Sequence, residues 1–372
     1  MRFRTTALAL AVLLLGTSAC TGSAGDKKSE DVGGVERTYY IAADPVPWDY
    51  APQGKNVIKN RAFNDDEKVF VAPAAGRIGS TYDKCLYRGY TDATFQQRNE
   101  RPTSEAYLGY LGPVIRAEVG DTIKVVFRNN CSFPTSVHPH GVRYDKDSEG
   151  AEYNDGTSGE DHQDEVPPNG THTYLWDVPE RSGPGPMEGS SAVWMYHSHA
   201  DEVGDVYAGL SGFLVVTAKG QAKEDGSPKD VDRELFSLYE VDDENQSPLL
   251  PDNVKKRTQG PVDLEDEDFG ESNLMHAING YVYGNGPVPT VKKGQKVRWY
   301  LMGMGTEVDL HTPHWHGNTA TINGMRTDVA NLLPASMATA DMVPDKPGTW
   351  LFHCHVGDHI TAGMQALYRV EE

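Results

Sequence analysis

The stretch LFHCHVGDHITAGM, residues 351–364, carries the pattern from which the fold and the chemistry of this chain can be inferred. It places Cys354, His359 and Met364 at intervals of five residues, with a further histidine on each side of the cysteine. Upstream, His311 in DLHTPHWHG can supply a second imidazole. A thiolate, two imidazoles and a weakly bound thioether form the mixed soft donor set that suits copper. We therefore predict a copper site made of His311, Cys354, His359 and Met364.

The two neighbours of Cys354 extend this prediction. Side chains alternate between the two faces of a strand. If residues 351–355 are extended, Cys354 points one way, whereas His353 and His355 point the other way. We therefore expect this tripeptide to serve two metal centres, joined by a short covalent path for electrons. A protein that only carried electrons would not need the flanking histidines.

The His-x-His motif occurs four times, in VHPHG, WMYHSH, PHWHG and FHCHV. Each pair can present two imidazoles on one strand face. The eight histidines are His138, His140, His197, His199, His314, His316, His353 and His355. The chain has 13 histidines in all, and His162, His172 and His276 lack partners at ligand spacing. For those three we expect ordinary core or surface roles.

These motifs resemble those of the two-domain multicopper oxidases of the bacterial small laccase type, with ceruloplasmin- and hephaestin-like sequence. The resemblance extends to CLYRGYTDATF, YLGPVIRAEVGDTIKVVFRNN, EDEDFGESNLMHAINGYVYGN and VDLHTPHWHG, which together with the C-terminal motif cover most of the chain. It implies an all-β protein of two tandem cupredoxin-like Greek-key β-sandwich domains. It also implies that a reducing substrate, a phenol or a metal ion, gives up electrons that reduce O₂ to water.

The resemblance implies four copper ions per chain. The type 1 copper that accepts electrons would be held by His311, Cys354, His359 and Met364. The type 2 copper would be held by His138 and His314. The type 3 pair would be held by His140, His197, His199, His316, His353 and His355.

The first half differs from the second at one informative position. Its motif is His197-Ser198-His199, whereas the second half has His353-Cys354-His355. Ser198 removes the thiolate, so the first half keeps two cluster imidazoles but cannot form a type 1 site there. This pattern is similar to the two-domain subtype with one type 1 copper, in the second domain.

Three carboxylates are candidate catalytic groups. Ceruloplasmin-like ferroxidases hold Fe²⁺ with carboxylates beside the type 1 copper, and Asp358 and Glu244 match two such positions by resemblance. We find no counterpart of the histidine that completes that iron site. Glu149 is the candidate proton donor to the cluster, with Asp145 and Asp147 as competitors. A ferroxidase or cuprous oxidase is therefore the alternative to a laccase-like enzyme.

The sequence also predicts the organisation of the chain. Short runs rich in Val, Tyr and Thr alternate with turn residues, which indicates strands around Ile123 and from Thr171, Gly212, Lys296 and Gln365. We predict a first domain over residues 37–218 without type 1 copper, a polar linker over 219–230, and a second domain over 231–372 with it. Residues 1–36 have the pattern of a signal peptide followed by a flexible tether.

The cysteines and the net charge indicate where the protein is located and which partners it can bind. Small residues precede Cys20, as in a bacterial lipoprotein cleavage site, so we expect an exported, extracellular protein anchored to lipid at the cell surface; ordinary secretion is the alternative. Cys85 and Cys131 could then form a disulfide or remain separate buried thiols. The net charge of −20 opposes nucleic-acid binding, which needs a basic footprint.

The resemblance also implies an oligomeric state. In the two-domain relatives, the first domain of one subunit meets the second domain of the next, which implies a homotrimer with copper clusters between subunits; a monomer is the alternative.

A copper nitrite reductase needs only three catalytic histidines and has its blue site in domain one, so eight paired histidines and Ser198 oppose it. A copper carrier would need only one motif and would bind about one copper per chain.

Overall fold

The computed structural model describes residues 34–154 and 165–372. Cys20, His162 and most of the predicted leader lie outside these residues. Within them, none of the helices combines the length and the apolar character needed to cross a membrane. The described chain is built from strands with a few short helices.

The first half forms two four-stranded sheets. The strands of the first sheet, in spatial order, are β2 (Thr81–Tyr90), β1 (Glu36–Asp49), β4 (Thr122–Asn129) and β6 (Thr171–Asp177). The strands of the second sheet are β3 (Ile115–Glu118), β8 (Ser211–Thr217), β7 (Ser191–His197) and β5 (His138–Pro139). Strand β4 buries every second residue, which is the pattern of a strand packed on one face.

The second half also forms two sheets, of six and four strands. The larger sheet contains β10 (Leu274–Ile278), β9 (Arg233–Asp243), β12 (Val297–Gly303), β16 (Ser336–Met342), β14 (Ala320–Ile322) and β15 (Met325–Thr327). The smaller one contains β11 (Thr290–Lys292), β18 (Gln365–Glu371), β17 (Gly348–Cys354) and β13 (Pro313–Trp315). These sheets confirm the predicted all-β class of cupredoxin-like sandwiches, and the five predicted strands correspond to β4, β6, β8, β12 and β18.

Short helices lie between the strands. They are α1 (Lys68–Val71), α2 (Glu202–Tyr207), α3 (Leu250–Arg257), α4 (Glu267–Ser272) and α5 (Gly357–Ala362), with short 3₁₀ helices at Thr103–Leu108, Lys146–Ser148 and Glu180–Ser182. Helix α5 ends at Gly363, which has a φ of 117°. A Cβ atom at this position would lie 3.0 Å from the ring of Tyr283, so both the backbone and the space favour glycine. That sharp end returns the chain to β18 directly after Met364.

One hydrophobic core includes residues from both halves. Tyr50, Tyr82 and Phe213 from the first half belong to the same buried cluster as Leu235 and Trp299 from the second. A second cluster, around Phe127 and Trp176, consists mainly of residues from the first half. The segment 219–230 between β8 and β9 consists of turns, and Glu118 accepts hydrogen bonds from two of its backbone N–H groups.

A disulfide joins Cys85 on β2 to Cys131, just after β4. Both residues are buried in the core of the first half. Of the two possibilities left open by the sequence, the structure therefore has the bonded pair. Cys354 is the free cysteine of the described chain, and it is fully buried.

Candidate copper centres

A thiolate and two imidazoles meet at the end of β17. The Sγ of Cys354 lies 3.6 Å from Nδ1 of His359 and 4.0 Å from Nδ1 of His311. His359 is on α5, and His311 precedes β13, which pairs with β17. Met364 is fully buried, and its backbone carbonyl accepts a hydrogen bond from the N–H of Cys354. The four predicted residues therefore come from the end of β17, from α5 and the turn after it, and from the segment before β13.

The surroundings of Cys354 favour its thiolate. Burial raises the pKa of the thiol, but hydrogen bonding with His311 and His359 outweighs burial and lowers the pKa to about 6. The N–H of Thr312 also donates to the sulfur at 3.4 Å. On its far side, Nε2 of His311 donates to the buried carboxylate of Asp309 at 3.1 Å. A carboxylate behind a histidine fixes the ring and its tautomer, which is the usual arrangement at metal sites.

A second group of donors lies on the other side of the same strand end. His353 and His355 lie with His314 and His316, with ring centroids 4.9 to 5.5 Å apart. Nε2 of His316 lies 3.1 Å from Nε2 of His353. The alternation expected from an extended strand is thus observed, although β17 ends at Cys354, so that His355 lies just beyond it.

The first half contains a matching group. His138, His140, His197 and His199 have ring centroids 5.1 to 5.7 Å apart. Nε2 of His140 lies 3.1 Å from Nε2 of His197, the same separation as in the second half. In both halves a strand pair provides the arrangement, because β5 pairs with β7 as β13 pairs with β17.

Backbone carbonyls fix the tautomers of four of these rings. Each donates from Nδ1 to a carbonyl oxygen, which leaves Nε2 with its lone pair. The pairs are His138 with Glu149, His197 with Ser198, His314 with Asp328 and His353 with Cys354. Burial, with a smaller effect of neighbouring imidazoles, lowers the pKa of His140 to about 4 and that of His197 to about 3. Near neutral pH these rings are uncharged and can act as ligands.

The two groups of imidazoles are separate within one chain. Among the described residues, no ring contact or hydrogen bond joins a histidine of the first group to one of the second. Each chain therefore carries two four-histidine half sets at different places.

Ser198 takes the position in the first half that Cys354 takes in the second. Its hydroxyl donates to the carboxylate of Asp205 on α2 and accepts the N–H of Ser136 at 2.8 Å. Asp205 is buried, and burial raises its pKa to about 7. The first half thus has a serine hydrogen-bonded to a carboxyl group at the sequence position where the second half has the thiolate.

The structure places the three candidate carboxylates very differently. Glu149 lies beside the first imidazole group, because its carbonyl binds His138, and its carboxylate pairs with Lys146 at 2.6 Å. Asp358 is exposed in the first turn of α5, next to His359. Glu244 is fully buried and pairs with Lys84 at 2.6 Å. An incoming cation cannot reach Glu244 in this position, so its buried placement does not fit the expected role.

Sequence reasoning overlooks His276, for which it predicts an ordinary core or surface role. Its ring centroid lies 5.3 Å from that of His359, and its Nδ1 donates to the carbonyl of Leu274. Nε2 therefore keeps its lone pair. Burial, followed by repulsion from His359, lowers the pKa of His276 to about 4, whereas the charge of Asp358 acts in the opposite direction. No motif marks His276, because its neighbours at the site are distant in sequence.

Comparison with known proteins identifies the family. Residues 89–221 and residues 253–372 match two family models, both described as multicopper oxidase. The chain belongs to the multicopper oxidase family. Membership in this family implies copper as the cofactor.

Several curated members of the family are similar to this chain. It is 45% identical to human ferroxidase HEPHL1 over 346 residues, 45% identical to rat hephaestin over 345 and 42% identical to human ceruloplasmin over 348. These alignments cover 90–91% of this chain but only 30–32% of the relatives. The chain therefore spans about a third of the length of these multicopper oxidases.

A solved structure supports the fold. A crystal structure of a multicopper oxidase superimposes with a TM-score of 0.54, covering 91% of this chain and 89% of that chain, at 18% sequence identity. The arrangement of sheets is thus one that this family adopts.

The residues present fit copper. At Cys354 a thiolate and two imidazoles combine the soft and borderline donors that copper prefers, and the backbone of Met364 is hydrogen-bonded to that of Cys354. In each half set, two Nε2 atoms approach to 3.1 Å. Because Nδ1 of His197 already donates to a carbonyl, its Nε2 accepts the hydrogen bond from His140, and the same lone pair is the one that a bound metal would use.

Proposed function

We propose that this chain is an oxidase that takes electrons one at a time at Cys354 and delivers them to dioxygen at the imidazole sets. Copper, when bound, supplies one-electron redox chemistry at the thiolate and reduction of O₂ at the imidazoles. One observation carries the proposal: Cys354 lies in one donor set, and its covalent neighbours His353 and His355 lie in the other. The peptide of three residues is then the electron path.

The copper content follows from the donor sets. His311, Cys354, His359 and Met364 would hold the type 1 ion. His138 and His314 would hold the type 2 ion, and the six remaining histidines of the two half sets would hold the type 3 pair. Ser198 and Asp205 leave no thiolate for a second type 1 ion. We expect four copper ions per chain, whereas a copper carrier would bind about one.

Assembly would complete the imidazole cluster. Each chain has four imidazoles in each half, and the two half sets make no contact within the described chain. A head-to-tail contact that joins the first set of one subunit to the second set of the next must close into a ring. We propose a homotrimer with three clusters between subunits, and light scattering that gives the mass of three chains would support it. A monomer that retained full oxygen consumption would contradict it.

Proton supply would come from the first half. The backbone carbonyl of Glu149 holds His138, so this residue lies beside the imidazole set. Lys146 and Tyr153 contact its carboxylate and orient it. We propose that Glu149 passes protons to the oxygen site.

The electron donor is best explained as a metal ion. Ferroxidases are among the relatives, and the free Nε2 of His276 lies beside His359, with Asp358 exposed nearby. An imidazole and a carboxylate are suitable ligands for Fe²⁺. His276 would then be the histidine that the sequence does not reveal. We propose ferrous ion as the donor at this edge, with phenols as the second candidate.

Oxygen uptake by the copper-loaded protein, with Fe²⁺ and with a dimethoxyphenol, tests these proposals. Uptake with Fe²⁺ should fall in Asp358→Ala and His276→Ala, while uptake with the phenol persists. Glu224→Ala is the matched control, because it removes an exposed carboxylate from the segment 219–230. A phenol preference that neither substitution alters would make the enzyme laccase-like. No uptake with either donor at full copper loading would refute the oxidase proposal.

Location is proposed from the disulfide. A bond between Cys85 and Cys131 forms and persists in oxidising compartments, which fits an exported protein. Lipid attachment at Cys20 stays a prediction from the sequence.

A further inference from the structure

A cavity of about 640 Å³ lies in the first half, and none of the candidate copper ligands lines it. It opens beside the edge strand β2 and is lined by residues of β1, β2 and the segment from Arg98 to Arg116. Four of its lining residues are arginines, namely Arg88, Arg98, Arg101 and Arg116. We call it the arginine cavity.

Two of these arginines have carboxylate partners. Arg116 pairs with Glu234 at 2.8 Å, and Arg98 pairs with Asp44 at 3.3 Å. Asp44 is fully engaged, since it also accepts hydrogen bonds from Tyr90 and Asn130. These two ion pairs account for part of the positive charge at the cavity wall.

Arg88 and Arg101 have no carboxylate within 4.0 Å among the residues that the structure describes. Arg88 donates from Nη1 to the carbonyls of Tyr87 and Tyr110, and Arg101 donates to the carbonyls of Gly109, Leu111 and Gly112. Carbonyl groups orient a guanidinium but do not neutralise it. Burying a charge without a counter-ion costs folding free energy, so the two guanidinium groups of Arg88 and Arg101 would be stabilised by an anion.

Arg88, which lines the cavity, has two donors without a partner among the described residues. Its Nε and Nη2 have no hydrogen-bond partner in the described chain. Neither atom is among the buried polar atoms that lack a partner, so both are accessible to solvent. Burial, followed by repulsion from Arg101 and Arg98, lowers the pKa of Arg88 to about 10. The guanidinium thus stays charged at neutral pH and presents two adjacent N–H groups to open space.

The lack of a carboxylate partner for Arg88 and Arg101 contrasts with the composition of the chain. The chain has 54 acidic and 34 basic residues, so carboxylates are abundant as partners. Glu100 and Glu105 even line the same cavity, yet neither forms an ion pair with Arg88 or Arg101. Four carboxylates thus lie at or beside the four arginines, and what distinguishes Arg88 is its pair of N–H groups without a partner in the described chain.

We propose that the arginine cavity binds a small oxyanion, either a phosphate or a carboxylate, which Arg88 holds through its two free N–H groups. A guanidinium recognises two oxygens of such an anion side by side, and Arg101 adds a second positive charge. Arg101 also holds the 109–112 segment, in which Tyr110 contacts Glu240 and Asp242 of β9. Occupation of the cavity would therefore stabilise the contact between the two halves.

Calorimetric titration of the copper-loaded protein with inorganic phosphate and with citrate, at constant ionic strength set by sodium chloride, tests the proposal. We expect saturable binding of at least one anion and a rise in the unfolding temperature with its concentration. In Arg88→Gln the affinity should fall about tenfold or more, as expected for the loss of charged hydrogen bonds. The two anions distinguish a phosphate site from a carboxylate site.

Arg369→Gln is the matched control, because it removes the same charge from an exposed position in the second half. It should bind like the unmodified protein. Arg88→Lys keeps the charge but loses the paired donors, so it should bind more weakly and provides the test if Arg88→Gln does not fold. Absence of saturable binding of both anions, or equal binding by the Arg88 variants and the unmodified protein, would overturn the proposal.

Discussion

The Nζ atom of Lys84 lies 2.6 Å from Oε1 of Glu244, and both side chains are fully buried. Lys84 belongs to β2 in the first half, and Glu244 follows β9 in the second half. Tyr50 and the carbonyl of Tyr207 accept the other hydrogen bonds of the ammonium group. The surrounding carboxylates keep the pKa of Lys84 above its ordinary value despite burial, so the group is a cation between the two halves.

Replacing Lys84 with methionine should destabilise the protein strongly. The change leaves Glu244 and Asp242 buried without a counter-ion, which typically costs about 3–5 kcal/mol of unfolding free energy. Urea unfolding monitored by fluorescence would measure it. Lys293→Met, which removes a lysine paired with Glu372 at the surface, should cost less than about 1 kcal/mol. Equal effects of the two changes would show that the buried pair has no special role.

Asp205 should make stability depend on pH. Burial raises its pKa from 3.8 to about 7, so the folded state binds the proton more tightly than the unfolded state. Its contribution to stability is then highest below pH 4, falls as pH rises from about 4 to 7, and is level above that. The total loss is on the order of 4 kcal/mol.

Asp205→Asn isolates this effect. The asparagine keeps an oxygen that can accept the hydroxyl hydrogen bond of Ser198 but does not ionise. The stability difference between variant and unmodified protein, followed by chemical denaturation at several pH values, should therefore grow from pH 4 to pH 7 in favour of the variant. A difference that stays constant over this interval would rule out the titration of Asp205.

Asp309 should control copper binding at Cys354 without touching the metal. Its carboxylate accepts Nε2–H of His311 at 3.1 Å and the N–H of Val241 at 2.7 Å. Asp309→Ala frees the ring, and loss of such a carboxylate lowers metal affinity about 10–100-fold. Competition with a chelator, followed by the visible absorption of the copper–thiolate centre, measures the change. Asp309→Asn, which keeps an acceptor oxygen, should lose less affinity than Asp309→Ala.

Met364→Leu should change the redox potential while keeping the copper. Leucine nearly conserves volume in this fully buried position, so the fold is preserved. The axial ligand tunes the potential of a blue-copper site, and loss of the thioether should raise it. A redox titration of the visible absorption tests this. An unchanged potential would mean that the thioether of Met364 is not near the metal.

The fold class and the positions of the donors are largely predictable because they depend on local pattern. The alternation of β4 and the spacing of Cys354, His359 and Met364 are properties of one strand, one short helix and one turn. Helix α5 is short and is followed by Gly363, so the number of residues between His359 and Met364 largely determines how these two residues are placed relative to each other.

The sequence is less informative where contacts join distant segments. The ion pair of Lys84 with Glu244 spans 160 residues, and neither residue belongs to a motif. The resemblance predicts Glu244 near the type 1 site, but its side chain turns into the core. His276 has no neighbours at ligand spacing along the chain, although folding brings it beside His359.

The core that includes Tyr50 and Tyr82 together with Leu235 and Trp299 has a consequence for how the molecule comes apart. The repeated motifs along the chain suggest two units that could fold separately. However, neither the half before residues 219–230 nor the half after them contains the whole of this hydrophobic core. The two halves should melt in one cooperative calorimetric transition. A proteolytic nick within 219–230 would cut the chain and still leave its two fragments bound to each other.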